Sequence, residues 1–354
     1  MERTPVMTSI NANWEEFYSK EISEKLPFFA KEDRLYDCLF AQQFDREILT
    51  GLFKTADALR TLTQHKEGMD FISNLLSDKR AMLYFVQPST RTFLSFLNAC
   101  HIMGIKTSEI RDTSTSSEVK GESAEDTVRT FSSYVDMIIM RHPTPGFVEK
   151  TAWLMNRTNR PVPIINGGSG KDQHPTQALL DTYTLYRSFN GEMDNKTIVM
   201  VGDLKRGRTV RSLTYLMKNY KNIKLAFVSP GQFRMEPDIL EFLKRHNMPY
   251  VETEDFSSVM KEADAIYMTR IQDEHDKAGE SGKVDYSPFY FRREHLKLIK
   301  KTCVIMHPLP RRHEIEVSVD EDPRAVFWRQ ERNGMWARAA LISHIFGVDS
   351  KIKH

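Results

Sequence analysis

Ser89-Thr90-Arg91-Thr92 sets two kinds of hydroxyl and a guanidinium just beyond the apolar run Met82–Val86, after a polar turn and where the pattern becomes helical. Backbone N–H groups at a helix start, with about half a positive charge from the helix dipole, favour a phosphate. An arginine at that point can grip it through two parallel charge-assisted bonds. The same four residues are equally consistent with Ser89 capping the helix and Arg91 standing in solvent, because serine and threonine are common caps.

Five further apolar runs end in the same way. Met137–Met140 is followed by Arg141-His142-Pro143, and Val162–Ile165 by two glycines and Gln173-His174-Pro175-Thr176-Gln177. Ile198–Val201 leads into Gly202-Asp203-Leu204-Lys205 with Arg208 and Thr209. Ala265–Met268 leads into Thr269-Arg270-Ile271-Gln272, and Val304–Met306 into His307-Pro308-Leu309-Pro310-Arg311. Ligands of parallel sheets bind beyond the carboxyl ends of the strands, so this series points to a single polar cleft between two domains.

Other chemistries lack carriers. There is no GxxxxGK[ST] loop, and the glycines near Gly202 and Gly207 do not form GxGxxG, which removes the signatures of an ATPase and of a dinucleotide-dependent dehydrogenase. HExxH, GxSxG and a paired-carboxylate pattern are also missing. Cys38, Cys100 and Cys303 are far apart, with no zinc spacing, and read as reduced thiols of a cytosolic protein. Fifty basic residues against 48 acidic ones give a net charge of +2, too balanced for a nucleic-acid or membrane-surface protein. No apolar run reaches the roughly 18 residues of a membrane helix, and charged residues interrupt the N-terminus where a signal peptide is apolar. A cytoplasmic enzyme without metal or cofactor is the expectation.

Elements must hold these groups in place. The apolar runs alternate with helical stretches, including residues 175–188 behind Pro175, and this alternation implies parallel sheets with helices on both faces. The turn-rich Gly191–Asn195 marks a break. The fold class expected is α/β: two doubly wound parallel-sheet domains joined by interdomain helices. Their bounds are 35–185, completed by a C-terminal helix at about 335–350, and 186–334. Residues 1–34 are polar and weakly patterned, and read as an extension, partly disordered or packed on the surface.

Taken together and in order, the six motifs resemble the aspartate and ornithine carbamoyltransferases over roughly residues 35–350. Proline in His307-Pro308-Leu309-Pro310, where the ornithine branch typically has cysteine, points to the aspartate branch, and Arg208 with Arg270 supplies two guanidiniums for aspartate's two carboxylates. The resemblance implies transfer of a carbamoyl group from carbamoyl phosphate to L-aspartate. It implies that Ser89, Thr90, Arg91, Thr92 and Arg141 hold the phosphate. Thr92, Arg141 and His174 polarise the carbamoyl carbonyl, and Gln177 with the carbonyls of Pro308 and Leu309 receives the carbamoyl NH2. Arg208, Arg270 and Gln272 bind aspartate. It also implies a homotrimer in which Lys120 and either Ser116 or Ser117, from the loop Asp112–Gly121, act in the neighbouring subunit's site. Whether regulatory chains or pathway enzymes bind as well is left open.

Three positions depart from the family pattern. Gln87 stands where an acidic residue is usual, Phe93 where arginine is common and Leu97 where glutamate is frequent. The last two look like an ion pair exchanged for an apolar contact, and the first implies altered domain closure with the chemistry intact. A transferase for another acidic amino acid and a catalytically silent homologue acting as an assembly subunit are the competing readings.

Overall fold

A computed structural model of the chain describes residues 13–112, 122–170, 173–270 and 284–352. Ser116, Ser117, Lys120 and Gln272 lie outside the described residues. The chain divides into one unit of Met1–Thr176 with Met335–His354 and a second of Gln177–Gly334.

The first strands of the first unit form a small antiparallel pair, β1 (Ala30–Lys31) and β2 (Arg34–Leu35). Its main sheet contains β3 (Arg80–Phe85), β4 (Lys106–Ile110), β5 (Met137–Arg141) and β6 (Ile164–Asn166) in the order β4-β3-β5-β6, all parallel. β5 is buried along its whole length, as a central parallel strand should be. β4 is an edge, half-exposed or exposed throughout. At the opposite edge Cys38 forms a parallel bridge with Ile165. Helix Thr90–Ile102 stops where Gly104, at φ +82°, turns the chain; a Cβ there would lie 1.8 Å from Ser73 O.

The second unit's sheet contains β7 (Thr197–Val201), β8 (Lys224–Val228), β9 (Tyr250–Thr253), β10 (Ala265–Met268) and β11 (Val304–Met306), parallel throughout in the order β11-β10-β7-β8-β9. Both sheets are flanked by helices, which is the doubly wound build expected from the alternation. No helix among the described residues is long and apolar enough to cross a membrane.

Residues 14–29 pack onto the first unit's core. Helices Trp14–Ser19 and Ile22–Lys25 lead into the turn Leu26–Phe29, whose Phe29 is fully buried. Trp14 lies 5.5 Å from Trp153 between ring centroids, and Phe17 lies 5.0 Å from Phe28. Lys25, itself buried, donates from Nζ to Tyr18 O at 2.7 Å and to Glu149 Oε1 at 2.8 Å.

Asp37 is buried next to the sheet edge. Its Oδ1 accepts from Ile164 N–H at 2.7 Å, its Oδ2 accepts from Asn156 Nδ2 at 2.6 Å, and burial pushes its carboxyl up to about 7 from 3.8. A carboxyl raised on folding stabilises the fold in its protonated form, so this contribution is complete below pH 3.8 and is lost as pH rises through about 7. A change of that size corresponds to on the order of 4 kcal/mol. Asp37→Asn removes the ionisation, and a turned Asn156 amide can then meet it with Oδ1, which has no hydrogen-bond partner among the described residues. The variant is expected to gain on the parent by a few kcal/mol between pH 4 and 8, in urea melts across that range. A constant difference would show that Asp37 is ionised throughout.

Candidate active site

Each sheet has one point where the strand order reverses, and the polar groups gather there. In the first unit the chain leaves β3 for β4 on one side and β5 on the other. The pairing Phe85↔Arg141 aligns the two strand ends, so Ser89-Thr90-Arg91-Thr92 comes after β3 and Arg141 ends β5, neighbouring strands at the switch point. Ser89 is the N-cap residue of helix Thr90–Ile102, extended at φ −164° and ψ 101°, and its hydroxyl makes no capping bond. The simple cap reading is therefore not what is found. Thr92 is buried, Arg91 half-buried and Thr90 exposed.

Arg141, buried, donates from Nη1 to Gly167 O at 3.1 Å. The neighbouring His142 is a packing residue: its ring stacks on Phe147 at 3.9 Å, and its Nδ1 accepts from Thr144 N–H. The third group comes from the loop after β6. Asn166 organises it, with Oδ1 accepting from the N–H groups of Gly168 and Ser169 and Nδ2 donating to Gln173 O. Gly168 holds φ +91°, and a Cβ there would lie 2.4 Å from Cδ2 of the buried His174 ring. The loop thus needs a glycine both for its backbone and for His174. Gly168→Ala is expected to lower activity tenfold or more by moving that ring, because His174 is a candidate catalytic group and small misplacements of such groups are expensive. Steady-state rates with a crystal structure of the variant check this, and an unshifted His174 with normal rates refutes it.

Gln87 has a partner within its own unit: its Oε1 accepts from Gly170 N–H at 3.2 Å, and its backbone N–H donates to Arg141 O. The neutral residue thus joins the β3 end to the His174 loop. Phe93 is buried with its edge to Phe85 at 5.4 Å, and the Arg111 guanidinium lies 4.5 Å over its ring. Leu97 is half-buried on the same helix.

In the second unit the order reverses between β7 and β10, and Val201↔Met268 pairs their ends. Gly202, at φ +120°, lets the chain pass Thr269; a Cβ would lie 2.4 Å from Thr269 O. Arg208 opens helix Arg208–Met217 and Arg270 follows β10, both half-buried. After β11, His307 Nδ1 accepts from Leu309 N–H at 2.7 Å, so Nε2 carries the ring hydrogen and donates to Glu314 Oε1, also at 2.7 Å. Burial raises the Glu314 carboxyl, but the His307 bond and the Arg312 N–H outweigh it and leave it below the usual range. Leu309 sits at φ +54°, a strained value for a residue with a side chain, and strain of that kind clusters at binding sites. Gln177 and Pro308 complete the expected residues of this unit.

Sequence reasoning missed Asp181, a fully buried carboxylate bonded to Gln177, Tyr267 and Gln330. Its spacing of four from Gln177 on one helix face was the available signal.

Two parallel sheets with charged and hydroxyl groups at their switch points define a two-domain α/β enzyme. Residues 37–187 match the family model for the aspartate/ornithine carbamoyltransferase carbamoyl-P binding domain, and residues 194–345 match that for the Asp/Orn binding domain. The chain belongs to the aspartate/ornithine carbamoyltransferase family. It is 39% identical over 327 residues to the chloroplastic aspartate carbamoyltransferase 1 of Pisum sativum, covering 90% of this chain and 81% of that protein. Among solved structures it resembles the catalytic subunit of aspartate transcarbamoylase from M. jannaschii, with a TM-score of 0.78 and 35% identity over 88% of this chain and 98% of that one. The Trypanosoma cruzi aspartate transcarbamoylase in complex with carbamoyl phosphate and aspartate gives a TM-score of 0.78 and 34% identity over 86% and 95% of the two chains.

Proposed function

We propose that this chain transfers the carbamoyl group of carbamoyl phosphate to the amino group of L-aspartate, giving N-carbamoyl-L-aspartate and phosphate, as a step of pyrimidine biosynthesis. The observation that carries the reading is the start of helix Thr90–Ile102 at its switch point, with the Ser89 hydroxyl outside the capping pattern and Arg141 on the adjacent strand end. Backbone N–H groups, hydroxyls and guanidiniums gathered there suit a dianionic phosphate. Ser89, Thr90, Arg91, Thr92 and Arg141 hold it, while Thr92, Arg141 and His174 stabilise charge on the carbonyl oxygen as the amine attacks. Gln177, Pro308 and Leu309 accept from the carbamoyl NH2, and Arg208, Arg270 and Gln272 take the two carboxylates of aspartate. The amine displaces phosphate directly, so rate comes from positioning and electrostatics, each lost donor costing on the order of 100-fold.

The test is to incubate the protein with carbamoyl phosphate and a panel of amino acids, measuring phosphate and the carbamoylated product. Product with aspartate alone supports the reading. Product with a different acidic amino acid reassigns the acceptor, and none with any leaves an assembly subunit.

The finer reading is a cytoplasmic homotrimer with sites shared through Lys120 and Ser116 or Ser117 of a neighbouring subunit. Its support is the family resemblance of that loop and, for location, three buried free cysteines. Mixing inactive Arg91→Ala with inactive Lys120→Ala chains after dissociation is expected to restore about a quarter of native activity, since random assembly of a cyclic oligomer pairs two intact half-sites at that frequency. No recovery in verified hybrids would place Lys120 in its own chain's site.

A further inference from the structure

Asp181 connects the groups assigned to the carbamoyl amine. Its Oδ1 accepts from Gln177 Nε2 at 2.9 Å and from Gln330 Nε2 at 2.7 Å, and its Oδ2 accepts from the Tyr267 hydroxyl at 2.7 Å. Gln330 in turn presents Oε1 to the backbone N–H of His307 at 2.9 Å, and His307 Nδ1 accepts from Leu309 N–H. All of these residues lie within Gln177–Gly334.

The direction of each bond follows from one fixed donor. A backbone N–H can only donate, so the carbonyl end of Gln330 faces His307 and its NH2 end faces Asp181. Oδ1 of Asp181 is therefore an acceptor. Gln177 meets that same oxygen, so it too must present NH2, and its carbonyl end is the one turned away. A carbonyl is what an incoming NH2 requires.

We propose that Asp181 is a positioning residue that sets the polarity of carbamoyl recognition, holding Gln177 as an acceptor and, through Gln330, holding the His307–Leu309 turn. The inference rests on the assignment of Gln177, Pro308 and Leu309 to the carbamoyl amine. Asp181 touches no reacting atom, so its effect falls on the enzyme's choice between an amine and a methyl group at that position. Burial and the neighbouring Asp181 charge hold the Tyr267 phenol well above its ordinary range, consistent with a constant donor on the second oxygen.

The probe pair is carbamoyl phosphate and acetyl phosphate, in which a methyl replaces the amine. Asp181→Ala frees the Gln177 amide to turn over; kcat/KM for carbamoyl phosphate is expected to fall roughly 30-fold or more, while the inhibition constant of acetyl phosphate moves less than about threefold. Asp181→Asn keeps an oxygen for both amides and offers NH2 to the Tyr267 oxygen, so it is expected to retain selectivity within about fivefold of the parent. Asp181→Ser, too short to reach Gln177, replaces the alanine variant if that one does not fold. The proposal falls if both ligands weaken together, if the alanine or serine variant keeps full selectivity, if folded Asp181→Asn behaves like alanine, or if neither truncation folds. Failure of the unmodified protein to carbamoylate aspartate would instead overturn the function itself.

Discussion

Arg141→Ala is expected to lower kcat/KM for carbamoyl phosphate about 1000-fold, because the side chain serves two anionic centres in the proposed reaction. It ends a fully buried strand, pairs in register with Phe85 and is anchored through Nη1 to Gly167 O at 3.1 Å. That anchor orients a planar fork, which in the proposed reaction serves both the phosphate and the carbonyl oxygen. Removing a single preorganised donor lowers rates by about 100- to 1000-fold. Loss of the Gly167 contact adds about 1–3 kcal/mol of destabilisation, so thermal melts must accompany the kinetics. Arg141→Lys should recover little, since an ammonium lacks the fork. A loss below tenfold in a well-folded variant would remove Arg141 from the reaction.

Lys25→Met should destabilise the first unit by about 3–5 kcal/mol, because it leaves the Glu149 carboxylate buried without its cation. The side chains of the pair are only 5% and 10% exposed, and Nζ also satisfies Tyr18 O. Such a loss is a large fraction of an ordinary domain's total and lowers Tm by roughly 10 °C. The partner change Glu149→Gln in the same chain is expected to return much of it, since neutralising both members of a buried pair is often nearly neutral. If single and double variants melt together, the pair contributes no coupling. Truncation before Phe29 should unfold this unit for a related reason, since it removes the aromatic cluster on Trp153.

Several strands were legible because burial on both faces leaves an unbroken apolar run, as in Met137–Met140 and Ala265–Met268. β4 and β9 escaped notice because they are sheet edges: Lys-Thr-Ser-Glu-Ile and Tyr-Val-Glu-Thr contain polar and charged residues where a central strand would have none. The folding of residues 14–34 into the core was equally hidden, since its aromatic residues match partners far along the chain, such as Trp153. Candidate site residues could be proposed from the sequence where they follow an apolar run. Asp181, Gln330 and the His307–Glu314 pair were not, because a buried polar network is defined by long-range partners that no local spacing reveals.

The first unit is interrupted: it comprises Met1–Thr176 together with Met335–His354, whereas the second is continuous. Arg338, from the returning stretch, donates to Ser95 Oγ and places its guanidinium 4.8 Å over Phe96. A growing chain at the ribosome therefore completes its later-encoded unit before its earlier one. Until residues beyond 335 emerge, the helix that follows the proposed phosphate-binding turn lacks these contacts, and the partly finished product exposes apolar surface around Phe96. Chaperone dependence during synthesis should accordingly centre on the first unit, and circular permutants that make this unit contiguous should shed it.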